Sequence, residues 1–406
     1  MSNFLRGVLP DELCELIVDH VQLSNEIRSI APTLLSDSSS SEEDTNMPRP
    51  MFTRCYTGEQ YVVDLLSGHL LRAYNSFRLS ADAFHQLREL LESRSLLTHT
   101  KNILVQEQLA IFLRGIAHAH SYRQLCEFFQ HSLETVSRYF NLVLRAIVSL
   151  ANEFITMPTV EAECHPYNVV GAIDGTHIPA VVNKNLQNRY RNRKGFTSQN
   201  VIAAVSFDRQ FVYVGSGWEG SAADMRVLRW AIEEGDFKVP AGKYFLVDSG
   251  YANTDKLIAP FRWYRYHLAE YRTDASRRYS VAQELYNHRH AQLRNVVERT
   301  FGIWKERFQV LTHMHQFPLA VQADIVLACA DLHNFIGRYH GHDIYFNMSQ
   351  TEMHHNSDLG EVQAIDEDPN LYAGVGERAL GDGLRHLIAT NIWEARVASQ
   401  RSRLAE

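Results

Sequence analysis

The sequence predicts a mixed α/β domain preceded by an all-helical region. Between about residues 60 and 150, apolar residues recur every three or four positions, which is typical of helices that bury one face. From Val169 onward, short apolar runs bounded by turn residues indicate strands. Three such strands, a helix, a fourth strand and later helices predict a layered α/β architecture. With 406 residues, 45% of them hydrophobic, the chain has room for two or three domains.

The two ends of the chain are acidic, and its middle is mildly basic. Residues 1–50 hold three Lys/Arg against nine Asp/Glu, and residues 341–406 hold five against eleven. Residues 51–340 therefore carry a net charge of +5 within a chain whose total is −7. This balance permits a polyanionic partner without requiring one.

Several protein classes are disfavoured by simple patterns. No run of eighteen or more apolar residues occurs, so we expect no membrane span. The first residues lack the long apolar segment of a secretory signal. The five cysteines form no Cys-x-x-Cys pair, which favours a reducing compartment and argues against a zinc finger.

Before the α/β domain, the pattern predicts three segments. These are an N-terminal helix within residues 1–35, an acidic disordered linker at 36–58 and a helical domain at 59–155. The serines of the linker stand next to acids and are candidates for phosphorylation, with a solvated tether as the simpler interpretation.

Within the helical domain, a short helix, a tight turn and a longer helix resemble a helix-turn-helix. The longer helix presents Glu134, Thr135, Ser137 and Arg138 near its start. It carries few basic residues, so a helical bundle that packs on the next domain or on another protein is an equal alternative.

Three carboxylates lie beside apolar surface in the predicted α/β domain. Asp174 stands in the middle of the apolar strand Val169–Val182, and Asp248 ends a second short apolar strand. Glu298 borders the apolar stripe of a helix over about 281–310. Carboxylates in apolar surroundings are costly unless a cation or hydrogen-bond donors meet them, which suggests a shared site for a hard divalent cation.

The remaining elements complete the sheet and its covering helices. Strands at 200–207 and 211–218 form a hairpin, a helix follows at 223–232, and a short strand begins at Tyr266. An apolar helix spans 320–335. Residues 341–406 are predicted as an acidic mobile tail whose terminal helix runs from Leu380 to Arg396.

Five motifs resemble the PIF/Harbinger DDE transposases and the Harbinger transposase-derived nucleases. They are Ala172–Pro179, Tyr190–Asn200, Gly217–Leu228, Leu246–Tyr251 and Leu293–Gly302. The resemblance covers residues 60–340, with a weaker match at the terminal helix. It implies a ribonuclease-H-like mixed sheet flanked by helices at 165–340, with the acids of the DDE pattern at Asp174, Asp248 and Glu298.

The resemblance also implies the chemistry. A nuclease or transposase of this family cuts and joins DNA with two Mg²⁺ or Mn²⁺ ions. Asp174 would bridge both metals, and Asp248 and Glu298 would each complete one. From the residues alone, only a metal-dependent hydrolase or phosphoryl transferase follows.

Residues around the acids have two interpretations each. His177 is a candidate to orient water or phosphate, or else makes a structural hydrogen bond. Asp224 is a candidate to support the metal-binding acids, or else a charge at a helix N-terminus. Glu298 is a candidate metal ligand, or else merely pairs with Arg294 one turn before it, and the two strand acids and the order of the motifs favour the metal ligand.

A basic loop directly after the first catalytic strand is the candidate for DNA binding. It contains Arg189, Arg191, Arg193 and Lys194 next to aromatic residues, a combination suited to phosphates and bases. The alternative is an exposed charged loop without a ligand.

Two further expectations concern the biology. A catalytically silent protein that binds chromatin or a complex on a transposase scaffold is the alternative function, and a general phosphodiesterase is a third. The resemblance implies DNA and a Myb/SANT-like protein as partners. We expect a homo-oligomer in the nucleus, with partner-assisted import and a cytoplasmic pool.

Overall fold

The computed structural model describes residues 51–159, 167–266, 278–339, 343–347 and 373–405. The predicted N-terminal helix, most of the acidic linker and much of the acidic tail lie outside the described residues. The boundaries proposed for the domains stay predictions.

A five-stranded mixed sheet forms the centre of the α/β region. The strand order is β3-β2-β1-β4-β5, with β1 antiparallel to β2, β2 antiparallel to β3, β1 parallel to β4 and β4 parallel to β5. The predicted mixed sheet is therefore confirmed, with one additional short strand, β5. The strands are β1 Val169–Pro179, β2 Ser198–Ser206, β3 Phe211–Glu219, β4 Tyr244–Leu246 and β5 Leu257–Ile258.

Strand β1 is central because its sequence suits burial on both faces. Its first five residues are buried, and Gly171 lets the strand lie very close to β2. A Cβ atom on Gly171 would fall 2.0 Å from the Val205 carbonyl oxygen, so this position requires glycine. The close pairing holds Asp174 opposite Ala203 in the middle of the sheet.

Seven helices precede the sheet in the described part of the chain. Ser80, Ser121 and Ser132 each accept a hydrogen bond from a backbone N–H of the following helix, as N-cap residues do. The helices are α1 Gly58–Ser67, α2 Leu70–Phe77, α3 Ala81–Ser93, α4 Val105–His118, α5 Tyr122–Phe129, α6 Leu133–Val148 and α7 Ala151–Phe154.

The predicted helix-turn-helix corresponds to α5, a short turn and α6. On α6, Arg138 is exposed and pairs with Glu134 at 3.8 Å, while Val136 and Phe140 are buried. This buried face packs on α4 and on a helix of the α/β region. The packing matches the helical-bundle alternative, and DNA contact by α6 stays a prediction.

Six helices flank or follow the sheet in the described residues. Helix α10 ends at Arg307 and is followed by a 3₁₀ turn, Gln309–Leu311. The helices are α8 Gln187–Tyr190, α9 Asp224–Glu233, α10 Ala282–Arg307, α11 Leu319–Tyr339, α12 Ile344–Asn347 and α13 Val375–Ala405.

Two local predictions are corrected. The terminal helix α13 begins before Leu380 and continues past Arg396, because apolar and helix-forming residues extend the pattern at both ends. Tyr266 is not in a strand, and the rest of that predicted strand lies outside the described residues.

One continuous apolar core joins the helical region to the sheet. It runs from Val62 and Phe112 through the sheet to Trp304, all fully buried. A second cluster fills the other face of the sheet under α9. Helix α11 is long and apolar enough to cross a membrane by length and composition, but 67% of its most apolar window is buried within the protein, as in a core helix.

Candidate active site

Asp174 projects from the central strand at a point where the sheet is only partly covered. Its side chain is 21% exposed, and its Oδ1 accepts a hydrogen bond of 2.9 Å from the Gly175 N–H. A single backbone donor leaves most of this carboxylate's charge uncompensated within an apolar sheet. The neighbouring elements must supply the rest.

Arg294 of helix α10 supplies a cation to two of the predicted acids. Its guanidinium lies 2.7 Å from Asp174 Oδ2 and 2.5 Å from Glu298 Oε1. The arginine side chain is only 5% exposed, whereas Glu298 is 35% exposed. Its Nε donates a further bond of 2.9 Å to the Tyr266 hydroxyl. The guanidinium therefore holds Asp174 and Glu298 beside each other.

Asp248 and Asp224 approach the same place from two other elements. Asp248 follows β4, which is parallel to β1 and hydrogen-bonded to it. Asp224 is the first residue of α9, and its carboxylate would lie 2.6 Å from a Cβ atom built on Gly175. Asn200 holds this carboxylate through a 2.6 Å hydrogen bond. Asp224 is thus both a helix N-terminal charge and a neighbour of Asp174.

The electrostatics of Asp174 report this convergence. Burial, against the lowering effect of Arg294 and together with the nearby charges of Asp248, Asp224 and Glu298, raises its pKa to about 7. Three further carboxylates, from the loop after β4, from α9 and from α10, therefore act on Asp174. Mutual repulsion of this kind is what a bound cation relieves.

Tyr251 is a neighbour of the acids that sequence patterns did not reveal. Its hydroxyl is buried and has no hydrogen-bond partner among the described residues. Burial, together with Asp224, Asp174 and Asp248, raises its pKa well above the ordinary value. The phenol therefore stays protonated and offers a hydrogen-bond donor beside the carboxylates. Its position three residues after Asp248 is the one signal in the sequence.

Lys305 is a second residue that was missed. It is buried, and its Nζ donates to Thr176 Oγ1 at 2.7 Å and to the His177 carbonyl at 3.1 Å. Burial and Lys194 lower its pKa to about 8. Seven residues separate Lys305 from Glu298, so both lie on one face of α10, and this helical spacing could have identified it.

His177 takes the structural role that was its simpler interpretation. Its Nδ1 is 3.0 Å from Ser198 Oγ on the neighbouring strand. Burial lowers its pKa, so the ring is neutral near pH 7. A neutral ring bonded within the sheet orients the strand pair β1–β2. A role for His177 on a substrate stays a prediction.

The basic loop lies close to this end of β1 and is ordered by Asn192. Asn192 Oδ1 accepts hydrogen bonds from the backbone of Lys194 and Phe196 at 3.0 and 3.3 Å. Arg191, Arg193 and Lys194 are exposed, and the charges of Arg193 and Lys194 are felt at His177. Arg189 instead forms an ion pair with Glu219. The loop thus presents cations beside the acids.

The donor set fits the predicted metals in chemistry. Carboxylate oxygens are the ligands that Mg²⁺ and Mn²⁺ prefer. A bound cation would also relieve the repulsion between the acids. The described residues contain no group of three or more His, Cys, Asp or Glu side chains already arranged around one metal position. The guanidinium of Arg294 lies between Asp174 and Glu298, so these two acids are held by an organic cation.

Comparison with known families agrees with the two regions. Residues 53–149 match a domain of unknown function (DUF8040), which covers most of the helical region. Residues 173–334 match a DDE superfamily endonuclease model, which begins at β1 and ends within α11. No curated protein and no solved structure gives a significant match. The five-stranded sheet is consistent with the ribonuclease-H-like core of such a domain, and residues 173–334 are similar to DDE superfamily endonucleases.

Proposed function

We propose that the chain is a metal-dependent DNA endonuclease of the PIF/Harbinger transposase type, which cuts and joins DNA strands. One observation carries this proposal. Asp174, Asp248 and Glu298 come from three separate parts of the fold, and the charges of Asp248 and Glu298 both raise the pKa of Asp174 on the central strand. Within a region that matches a DDE superfamily endonuclease model, this arrangement is the one that the chemistry needs.

In this proposal, Asp174, Asp248 and Glu298 hold the metals. When bound, two Mg²⁺ or Mn²⁺ ions would supply positive charge for the activation of a water or a 3′-hydroxyl and for the stabilisation of the leaving oxygen. Arg294 keeps Asp174 and Glu298 close together in the chain itself. Tyr251 supplies a protonated hydroxyl beside the acids. In this proposal the acids, and not a Ser or Cys nucleophile, carry the reaction.

The exposed cations of the basic loop have a separate task. Arg191, Arg193 and Lys194 stand at the edge of the sheet near His177, where they face solvent. Cations of this kind bind the DNA backbone without reading its sequence. We therefore assign them to the phosphates that flank the cleaved bond. Arg189 contributes less because Glu219 neutralises it.

A catalytically silent scaffold is the second candidate, and Arg294 favours it. Its two ion pairs satisfy Asp174 and Glu298 without any metal. A protein that only binds chromatin or a complex would be stable in this state. The two candidates differ in whether divalent metal displaces or accompanies the guanidinium at the acids.

Nicking of supercoiled plasmid separates the candidates. The wild-type chain should relax plasmid in Mg²⁺ or Mn²⁺, and Asp174→Asn, Asp248→Asn and Glu298→Gln should each reduce the rate by at least about a hundredfold because each removes a metal-binding charge. Asp255→Asn is the matched control, since Asp255 is an exposed acid in the turn between β4 and β5.

The outcomes are distinct. Metal-dependent nicking that the three variants lose and the control keeps supports the endonuclease. DNA binding without nicking in either metal favours the silent scaffold. Nicking with no preference for transposon ends over random DNA favours a general phosphodiesterase.

We also propose that a Myb/SANT-like protein assists DNA binding and import, that the chain forms a homo-oligomer, and that it divides between nucleus and cytoplasm. The short basic run at 191–194 supports partner-assisted import, because it belongs to the loop beside the acids and is poorly placed as an import signal. Co-expression with the partner should move the chain from cytoplasm to nucleus, and strong nuclear entry of the chain alone would contradict it.

A further inference from the structure

A second concave site lies beside the acids, between the loop after β5 and the first turns of α13. It encloses roughly 590 Å³, within the range of sites that accept one drug-sized or nucleotide-sized group. Phe261, Arg262 and Trp263 form one wall, and Arg378 and Arg385 form the other. None of the three proposed metal-binding acids is among the described residues that line this cleft.

Trp263 is the outstanding residue of the cleft. Its side chain is 100% exposed, and its backbone has φ +70°, in the left-handed region that bulky residues rarely adopt. An indole in water loses the free energy that burial would provide, and the backbone conformation adds strain. Because both costs fall on one residue, the position of this ring points to a ligand that covers it.

The charge of the cleft indicates an anionic ligand. Three arginines line it, against one acid, Asp382, among the described lining residues. Arg385 stacks on the Phe261 ring at 4.4 Å and holds Asp382 at 2.6 Å. The Nε atoms of Arg378 and Arg385 are buried and have no hydrogen-bond partner among the described residues. The cleft therefore combines a bare aromatic face with excess positive charge.

Two contacts connect the cleft to the acids. Tyr251 lines the cleft, and its hydroxyl lies within the electrostatic influence of Asp224, Asp174 and Asp248. Arg262 donates a 3.2 Å hydrogen bond to the carbonyl of Ser249, the residue after Asp248. The cleft is therefore next to the loop that carries Asp248.

The close approach of α13 to the sheet completes the wall. A Cβ atom on Gly381 would fall 2.5 Å from the backbone of Thr254, in the turn between β4 and β5. Only glycine lets the helix lie this near, and Asn253 adds a 3.0 Å hydrogen bond to Asp382 across the same contact. The terminal helix is therefore fixed to the loop that carries Trp263.

We propose that this cleft binds an unpaired nucleotide of the DNA strand being processed, with its base stacked on Trp263 and its phosphates held by the arginines. The proposal rests on the proposed function, because it assigns DNA as the substrate of the adjacent acids. A base offers a flat aromatic face beside a negative charge, which is the complement of a bare indole among arginines. Tryptophan and arginine also occur in protein interfaces, so the comparison of intact with abasic DNA is the measurement that assigns the cleft to a nucleotide.

Binding to short labelled DNA in EDTA tests the assignment without metal or cleavage. Fluorescence anisotropy would compare a duplex with a three-nucleotide single-stranded overhang, the same overhang with abasic residues and a blunt duplex. Trp263→Ala should weaken binding of the intact overhang about tenfold, since stacking on an aromatic residue contributes about 1–3 kcal/mol per base. Trp263→Phe should restore most of the affinity.

Leu70→Ala is the matched control, because Leu70 is an equally bare apolar residue, 80% exposed, on α2 of the helical region. Trp263→Ala and Leu70→Ala should both leave blunt-duplex binding and the thermal unfolding midpoint unchanged. Equal affinity of wild type and Trp263→Ala for the overhang overturns the proposal. The proposal is also overturned if Trp263→Ala weakens binding of the abasic overhang as much as binding of the intact overhang. An equal loss of affinity for all three DNAs overturns it too.

The two proposals fail separately. If the wild-type chain never nicks DNA but still discriminates the intact overhang through Trp263, the cleft assignment stands and the endonuclease falls. If nicking is metal-dependent but Trp263→Ala binds and cuts as well as wild type, only the cleft assignment falls.

Discussion

Helix α10 buries an arginine against carboxylates in two places, near its middle and at its C-terminal end, and the two places differ in their balance of charge. Near the C-terminal end, the Arg307 guanidinium is fully buried and lies 2.5 Å from Asp343 Oδ2, an acid that is 3% exposed. The rings of Tyr345 and Phe346 cover the arginine at 5.1 and 5.2 Å. Tyr74 donates a hydrogen bond to the same carboxylate. One cation therefore pairs with one anion, and both side chains are buried from solvent.

Near the middle of the helix, Arg294 meets an excess of negative charge. It pairs with Asp174 and Glu298, while Asp248 and Asp224 add their fields, and Glu298 remains 35% exposed. Burial of an arginine is therefore common to both places and does not distinguish them. What distinguishes the candidate active site is that its negative charge exceeds its positive charge and that solvent reaches it. A balanced, sealed pair stabilises the fold, whereas an unbalanced, open cluster can take up a further cation.

The sharpest test of this comparison replaces each arginine in turn. Arg307→Met should lower the free energy of unfolding by about 3–5 kcal/mol, because it leaves Asp343 buried without its cation. Added Mg²⁺ should not restore the stability of Arg307→Met. Arg294→Met should destabilise the metal-free chain less, and Mg²⁺ should restore the loss because the ion replaces the guanidinium at the acids.

Urea unfolding with and without Mg²⁺ measures both effects. Arg229→Met is the control, since Arg229 forms an exposed pair with Glu233 that contributes at most about 1 kcal/mol. The difference between the two places on α10 is not one of charge balance if Mg²⁺ restores the stability of Arg307→Met. The same holds if Mg²⁺ fails to restore the stability of Arg294→Met.

The pH dependence of stability sharpens the comparison at Asp174. Its pKa is raised from 3.8 to about 7, so the folded chain binds a proton there that the unfolded chain releases. The contribution of Asp174 to the free energy of unfolding is therefore greatest below about pH 4 and is lost as the pH rises towards 7. Asp174→Asn should remove this loss and stabilise the metal-free chain near pH 7.

Unfolding between pH 4 and 8, in EDTA, gives the measurement. The stability of Asp255→Asn should keep the wild-type pH profile because Asp255 is exposed. A profile for Asp174→Asn that runs parallel to the wild type would show that the acid cluster does not hold this proton.

The smallest effect concerns Gly175. A methyl group there meets the carboxylate of Asp224 at 2.6 Å, so Gly175→Ala should push Asp224 from Asn200 and cost about 1–3 kcal/mol. Gly250→Ala is the matched change, because a Cβ atom there has no neighbour within 4 Å. Plasmid nicking should fall in the first variant and not in the second. Equal rates would show that Asp224 has no influence on the acids.

Much of the site was predictable because its chemistry is local. Asp174 stands out as an acid within an apolar strand, and Asp248 and Glu298 follow from strand and helix patterns. The i, i+4 spacing correctly placed Arg294 beside Glu298. Tyr251, Lys305 and Trp263 carried too little local signal, because an aromatic or a lysine in such positions is ordinary until its surroundings are known.

The amino-acid sequence by itself determined the acids, the helix and strand periods that carry them, and the motif order that indicates a DDE nuclease. Those features depend on side-chain type and on spacing along one element. Only the tertiary structure decided that Arg294 reaches Asp174 across 120 residues, that Asp224 lies against Gly175 and that Trp263 stands bare above a cleft of arginines. These contacts join residues from separate elements, and their distances follow from how the sheet and helices pack.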